Sequence, residues 1–329
     1  MKHISVIVPN GPAVLSSIVG AFKLFGQVNN FLKEQGINEP AYDIQLVGTN
    51  KEVELYDGLF SIRPQVTIDQ VKKTDLILVT TIMGDMPTSL ELNKEFIPWI
   101  RKRHSEGAEV ASLCMGAFLL AATGLLDGRN ATTHWIGIDQ FSEMFPDVKL
   151  LPEKIITDEK GIYTSAGAYS FLNLLVYIIE KYNGRDIAIL TSKLFEIEMD
   201  RYSQSEFAIF QEQKDHSDDA VMKAQDYIET NFSSNIGVDL LADMSALSRR
   251  NFIRRFKKAT QNTPFEYLQR VRVEAAKKSF ERSTENIGEV MMSVGYSDSK
   301  SFRQVFRKFT GCSPAEYRAK YNWHVARAI

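Results

Sequence analysis

Cysteine is almost absent. The 329 residues hold two, Cys114 and Cys312, too few and too far apart for a disulfide framework. No Cys/His cluster has the spacing of zinc ligands, so neither a metal nor a cofactor is expected. Long apolar runs are missing too: no stretch approaches the roughly 18 residues that cross a bilayer. The opening MKHISVIVPN is only strand-length and lacks a small-residue cleavage site. These absences argue against a disulfide-stapled secreted module, a zinc module and a helical membrane protein. They fit a soluble chain in a reducing cytoplasm with no membrane partner, long enough for two domains with separate cores.

Net charge is also small, at −2, but it divides unevenly. Residues 218–329 carry 19 Lys and Arg against 13 Asp and Glu, a balance of +6, and residues 1–217 carry 20 against 28, a balance of −8. The stretch SRRNFIRRFKK, residues 248–258, holds six cations in eleven positions and no acid. A dense basic patch on an otherwise acidic chain is the electrostatic footprint of a phosphate-bearing partner.

Strand-like and helix-like segments alternate through the first part of the chain. In order they are HISVIVP, a helix from Leu15 to Gln35, YDIQLVG, DLILVTT, a helix around Leu90 to His104, AEVASL, a helix after Cys114, the short strands EKIIT and GIYTS, and a helix from Tyr169 to Tyr182. Continuous apolar strands separated by helices imply a parallel sheet covered on both faces, an α/β sandwich. From about Asp218, after the polar connector SQSEFAIFQEQKDHSDD, only short helices and turn residues follow. The expectation is an α/β domain over residues 1–211 and an all-α domain over 212–329.

The second part repeats itself. Phe252, Phe256, Thr260, Pro264, Glu266 and Tyr267 recur fifty positions later as Phe302, Phe306, Thr310, Pro314, Glu316 and Tyr317. Ahead of each set lies a short amphipathic helix, VDLLADM or IGEVMMS, that ends in a turn. Each unit reads as a helix, a tight turn with a small residue and a second helix with a buried face, the helix-turn-helix arrangement. At about 100° per residue, Arg249, Arg250, Asn251, Arg254 and Lys258 fall mostly off the Phe252–Phe256 stripe, as do Ser299, Lys300, Arg303, Gln304 and Arg307 off the second. Arg250 and Arg254 are expected to meet bases, because a guanidinium fork matches guanine. Arg255, Lys257 and Lys258 are left for phosphate or solvent.

The segments LLADMSALSRRNFIRRFKKATQNTPFEYLQRVRVEAAKKSF and IGEVMMSVGYSDSKSFRQVFRKFTGCSPAEYR resemble the AraC/XylS DNA-binding domain over about 100 residues. VGYSD and FTGCSPAEYR carry the likeness. Met291 stands where alanine is usual, and Gln261 where glycine usually follows threonine. Neither change removes a DNA contact.

Cys114 lies in ASLCMGAFLL, between an apolar run and the start of a helix. With CMGAFLLAATGLLDGRNATTHW and YTSAG, residues 1–195 resemble the class I glutamine amidotransferase-like, flavodoxin-like superfamily in its ThiJ/PfpI group. The join to an AraC-type domain resembles the GlxA-type regulators. That resemblance implies a nucleophile elbow, where a helix N-terminus lowers the thiol pKa and the thiol stays accessible. It also puts catalysis in doubt. Met115 follows the cysteine where the group commonly has histidine, Ser17 stands where many members carry a carboxylate, and Thr81 and Ile82 replace a glycine pair. His134 alone does not make a relay. The chain is therefore expected to be no enzyme, with Cys114, Met115, Ser17, Thr80, Thr81, His134, Thr164, Ser165 and Gly167 lining an effector pocket at the strand ends. GlxA-type resemblance implies small nitrogenous effectors. Trp135 and Tyr169 are expected in core packing. The partners expected are double-stranded promoter DNA, a small-molecule effector, a second copy of the chain and RNA polymerase. The rival readings are a cysteine-dependent hydrolase and a thiol redox sensor, each fused to a DNA-binding module.

Overall fold

A computed structural model describes residues 1–199, 202–210, 213–214 and 216–322. The chain forms two compact units, Met1–Gln204 and Ser205–Ile329. The junction expected from composition, at Gln211 and Glu212, falls on residues outside those described. The compact division comes earlier because chain just before that junction already packs on the second unit. The Phe210 ring meets Tyr267 edge-on at 5.1 Å, and the Lys277 ammonium donates to Ala208 O at 2.7 Å. This segment, expected as a polar connector, is a strap on the helical unit. Its Lys277 is nearly fully buried and also pairs with Glu274 at 3.0 Å.

In the first unit the strands are β1 (Lys2–Ile7), β2 (Tyr42–Gly48), β3 (Val53–Leu55), β4 (Phe60–Ile62), β5 (Val66–Thr67), β6 (Leu76–Val79), β7 (Glu109–Ser112), β8 (Asn130–Ala131), β9 (Lys149–Leu150), β10 (Ile156–Asp158) and β11 (Ile162–Ser165). The helices are α1 (Leu15–Glu34), α2 (Met86–Leu92), α3 (Phe96–Ser105), α4 (Gly116–Ala122), α5 (Ile138–Met144), α6 (Phe171–Asn183) and α7 (Arg185–Leu194). Seven strands make one sheet in the order β10-β11-β7-β6-β1-β2-β5. All neighbours run parallel except β10, which is antiparallel to β11.

Side-chain alternation sends each central strand into two cores. Ile4, Val6, Leu76 and Leu78 pack with α1 and α6 on one face, and Ile7, Ile77 and Val79 pack with α3 and α4 on the other. Both faces are covered, so β6 reads as a continuous apolar run. The α/β sandwich is thus observed, with β5, α5 and α7 added to the expected elements and further differences besides. The edge strand β10 reverses direction, and the β3–β4 and β8–β9 pairs stand outside the main sheet. The single helix expected around Leu90 to His104 is two. Between them the Asn93 amide, fully buried, donates to Asn10 O at 2.9 Å and Ser89 O at 2.8 Å, and its carbonyl accepts from Asn10 N–H at 2.8 Å. That commitment to a neighbouring loop breaks the helical ladder.

The second unit is helical: α8 (Asp219–Asn231), α9 (Val238–Met244), α10 (Arg249–Thr260), α11 (Pro264–Arg282), α12 (Ile287–Ser293), α13 (Ser299–Thr310) and α14 (Pro314–Tyr321). The repeat reappears as paired local devices. Thr263 with Glu266 and Ser313 with Glu316 form capping boxes, each followed by proline at the first helical position. Thr260 Oγ1 donates to Phe256 O at 2.9 Å, and Thr310 Oγ1 to Phe306 O at 2.8 Å. The repeat also reaches one helix further back than the fifty-residue offset shows. Val221, Ala224 and Ile228 of α8 are matched by Val273, Ala276 and Phe280 of α11. The Tyr267 hydroxyl donates to Glu229 at 2.5 Å and the Tyr317 hydroxyl to Glu281 at 2.6 Å.

One pair of devices is unequal. The left-handed residue that ends α10 is Gln261 at φ +56°, whereas Gly311 ends α13 at φ +79°. A side chain there costs about 1 kcal/mol that glycine avoids. We expect Gln261→Gly to stabilise the helical unit by about 1 kcal/mol, read as a higher denaturant midpoint; an unchanged or lower midpoint would contradict the strain.

Candidate functional site

α9 and α10 join through a turn with Ala246 at φ +48°, and α12 and α13 through one with Gly295 at φ +85°. A Cβ on Gly295 would meet Ser233 O at 2.6 Å, whereas Ala246 carries its methyl. Two helix-turn-helix motifs result. α10 buries Phe252, Phe256 and Thr260, and α13 buries Phe302, Phe306 and Thr310. Off these stripes Arg249, Arg250, Arg254 and Lys258 are exposed on α10, with Asn251 half-buried, and Ser299, Lys300, Arg303, Gln304 and Arg307 are exposed on α13. Lys257, which composition left to phosphate or solvent, stands exposed on the same outer face.

The cations differ in how they are held. Arg249 donates to Asp239 at 3.0 Å across open solvent, an ion pair of little worth. Arg254 donates through Nη2 to Asn251 Oδ1 at 2.9 Å. Arg255 departs from expectation, since it grips the Asp218 carboxylate with two bonds, Nε to Oδ2 at 2.8 Å and Nη2 to Oδ1 at 2.7 Å. Asp218 also caps α8 by accepting from Val221 N–H at 3.1 Å. Arg255 therefore ties α10 to α8 instead of offering its fork to phosphate. Its hydrogen bonds hold the Asp218 carboxyl below the usual carboxylate range. Beside this lock lies a hollow of about 440 Å³ lined by Arg254, Arg255, Lys258 and His216.

In the first unit Cys114 follows β7 at φ +56°, the left-handed elbow expected there. Gly116 makes that turn feasible, since a Cβ on it would run into Val79 O and Thr80 O. Hydrogen bonding from the Ala168 and Met115 backbone and from the Thr81 side chain pulls the thiol pKa down. Yet Cys114 is only 5% exposed, and burial outweighs that bonding and pushes its thiol pKa up. The lowered pKa and open access expected at an elbow are both overturned. Desolvation of a thiolate in this packed turn costs more than the surrounding dipoles return.

The other expected residues do gather here. Ser17 Oγ donates to Val14 O at 2.7 Å and accepts from Thr81 N–H at 3.2 Å, and Thr81 Oγ1 donates to Leu113 O at 3.1 Å. Ser165 Oγ donates to Ser112 O and accepts from Cys114 N–H, both at 3.3 Å. Thr164 Oγ1 accepts from Thr132 N–H at 2.7 Å, and Thr80 Oγ1 donates to Ile7 O at 2.8 Å. Thr133, which sequence reasoning missed, donates to Cys114 O at 3.2 Å. Gly167 lets the His134 ring pack on its backbone, where any Cβ would overlap the ring. His134 Nδ1 accepts from Ile136 N–H at 3.1 Å, which leaves the ring proton on Nε2, and burial lowers the imidazole pKa. His134 is thus a neutral histidine that caps a short helical turn. Tyr169 is 65% exposed beside Ala168, outside the core packing expected for it, and Trp135 is half-buried with its ring 5.3 Å from His134.

Among the described residues no three His, Cys, Asp or Glu side chains gather so as to hold a metal ion. None of the described helices is long and apolar enough to cross a membrane.

Residues 241–320 match the helix-turn-helix domain family, and residues 23–181 match the DJ-1/PfpI family. The chain is similar to the HTH-type transcriptional regulator GbdR of Pseudomonas aeruginosa, 23% identical over 82% of this chain and 72% of the other. It is similar to the HTH-type transcriptional regulator GlxA of Rhizobium meliloti, 22% identical over 67% of this chain and 68% of the other. In fold it is similar to the crystal structure of a candidate transcriptional regulator from Vibrio parahaemolyticus, with a TM-score of 0.52 and 24% identity over 59% of this chain and 98% of that one.

The depressed carboxyl of Asp218 contributes stability that is present above about pH 4, the unfolded value, and is lost as pH falls through its folded pKa. Arg255→Ala should therefore lower the urea midpoint at pH 7, with the gap to wild type closing below about pH 4; a gap independent of pH would exclude the pairing as its cause. At neutral pH, iodoacetamide should alkylate Cys114 of the folded chain about tenfold or more slowly than that of the unfolded chain. Equal rates would mean an accessible thiolate.

Proposed function

We propose that the chain is a helix-turn-helix transcriptional regulator of AraC type that carries a DJ-1/PfpI domain, its first unit sensing a small nitrogenous metabolite and its second reading promoter DNA. The observation that carries the DNA half is the pairing of two helix-turn-helix motifs on one helical unit with exposed cations on both second helices. Phosphate contacts position such a motif and base contacts specify its site. On this reading Arg249, Arg250, Asn251, Arg254 and Lys258 act at one groove, and Ser299, Lys300, Arg303, Gln304 and Arg307 at another.

Support for the sensing half comes from where the strands of the first unit end. Loops and turns converge over Cys114, Thr80, Thr81, Ser17, Thr164 and Ser165, the place where open α/β sheets hold ligands. The polar side chains of that floor already have hydrogen-bond partners within the unit. An effector would therefore be held at the rim, by Met115, His134, Gly167 and the exposed face of Tyr169, which suits a cationic nitrogen. The same geometry favours binding over turnover: the thiol is buried with a raised pKa, His134 has its Nδ1 occupied, and Ser17 replaces a carboxylate. The residues proposed for each half lie within the two compact units, Met1–Gln204 and Ser205–Ile329, the division falling earlier than the 211/212 expected from sequence. A cytoplasmic homodimer that contacts RNA polymerase completes the proposal. Two DNA-binding units raise avidity without any new contact.

The test is a mobility shift of the full chain on the DNA upstream of its own gene, repeated with Arg250→Ala and Arg254→Ala. Each change should weaken binding about tenfold. Unchanged affinity and unchanged sequence preference would sink the assignment of α10. Turnover of a small substrate that Cys114→Ala abolishes would favour a hydrolase.

A further inference from the structure

Aligning Phe252 with Phe302 and Phe256 with Phe306 pairs Arg250 with Lys300, Arg254 with Gln304, Lys257 with Arg307 and Lys258 with Lys308. All eight side chains are exposed on the side away from the buried phenylalanines. Three pairs keep a cation. The fourth sets a guanidinium against a carboxamide. Residues 254 and 304 are each the sixth of their helix, one turn beyond a cation at the second position. They stand opposite the buried stripe, where a helix seated in a major groove presents its side chains to base edges.

The two groups ask for different bases. A guanidinium offers two donors, which fit N7 and O6 of guanine, but no acceptor for the amino group of adenine. A carboxamide offers one donor and one acceptor, which fit N7 and N6 of adenine. Resting on the regulator reading above, we infer that the matching sixth positions of the two helices set different bases: the first motif selects guanine through Arg254 and the second selects adenine through Gln304.

Holding differs as well. Arg254 is tied back to Asn251 at 2.9 Å through one of its nitrogens. The matching residue of α13 is Ser301, a shorter side chain, and Gln304 makes no side-chain hydrogen bond among the described residues. An arginine already held in place gives up less rotamer freedom on binding. The guanine position is therefore the sharper of the two.

The full chain is used to select bound fragments from a random DNA library, which are then sequenced. Wild type should enrich a motif with a dominant guanine in one half and a dominant adenine in the other. Arg254→Gln should convert only the guanine to adenine, and Gln304→Arg only the adenine to guanine, each by about tenfold or more in relative enrichment. If wild type enriches a motif that neither variant alters, this inference is overturned and the regulator reading stands. If wild type enriches no motif at all, the regulator reading itself fails.

Discussion

Everything the helical unit can do depends on α11 serving two cores at once. Its first half places Tyr267 and Leu268 among the residues of α8, α9 and α10, and its second half places Val273, Ala276 and Phe280 among those of α12, α13 and α14. A helix is stiff along its axis. Burying both ends in separate cores therefore removes the hinge that two tandem motifs would otherwise have between them. The exposed faces of α10 and α13 are thereby coupled through one helix.

Much of this was legible in the sequence because aromatic spacing and capping are local. Phe252 and Phe256 mark a helical stripe by themselves, and TPFEY and SPAEY spell out a proline start with its capping glutamate. The half of the repeat carried by α8 was not legible, because the match of Val221 to Val273 runs at a different offset from the phenylalanines and joins residues of unlike type, such as Gln225 and Lys277. The role of Arg255 was equally hidden. Within a run of six cations nothing in sequence marks the one that faces Asp218, 37 positions away.

The first unit shows the opposite balance. Six of its strands were readable from apolar runs, whereas β3, β4, β5, β8 and β9, at two or three residues each, were too short to mark themselves, and the ring of residues around Cys114 followed from where the readable strands stop. The state of the thiol was not readable, because it is the sum of two opposed effects that only packing can weigh. Hydrogen bonding around the sulfur favours the thiolate, and burial disfavours it more. The residue types of a motif thus leave open the protonation of its thiol, which burial sets.

The Lys277 bond to Ala208 has a bearing on how such chains can be recombined. A fusion that grafts this helical unit onto a foreign sensor, cut at the compositional seam near residue 212, would discard the carbonyl that Lys277 binds and strip away the ring that covers Tyr267. It would leave an ammonium in the interior with Glu274 and the Tyr317 ring as its remaining partners among the described residues. The modular seam of this chain lies upstream of Ser205, so the strap travels with the DNA-binding module as part of its body.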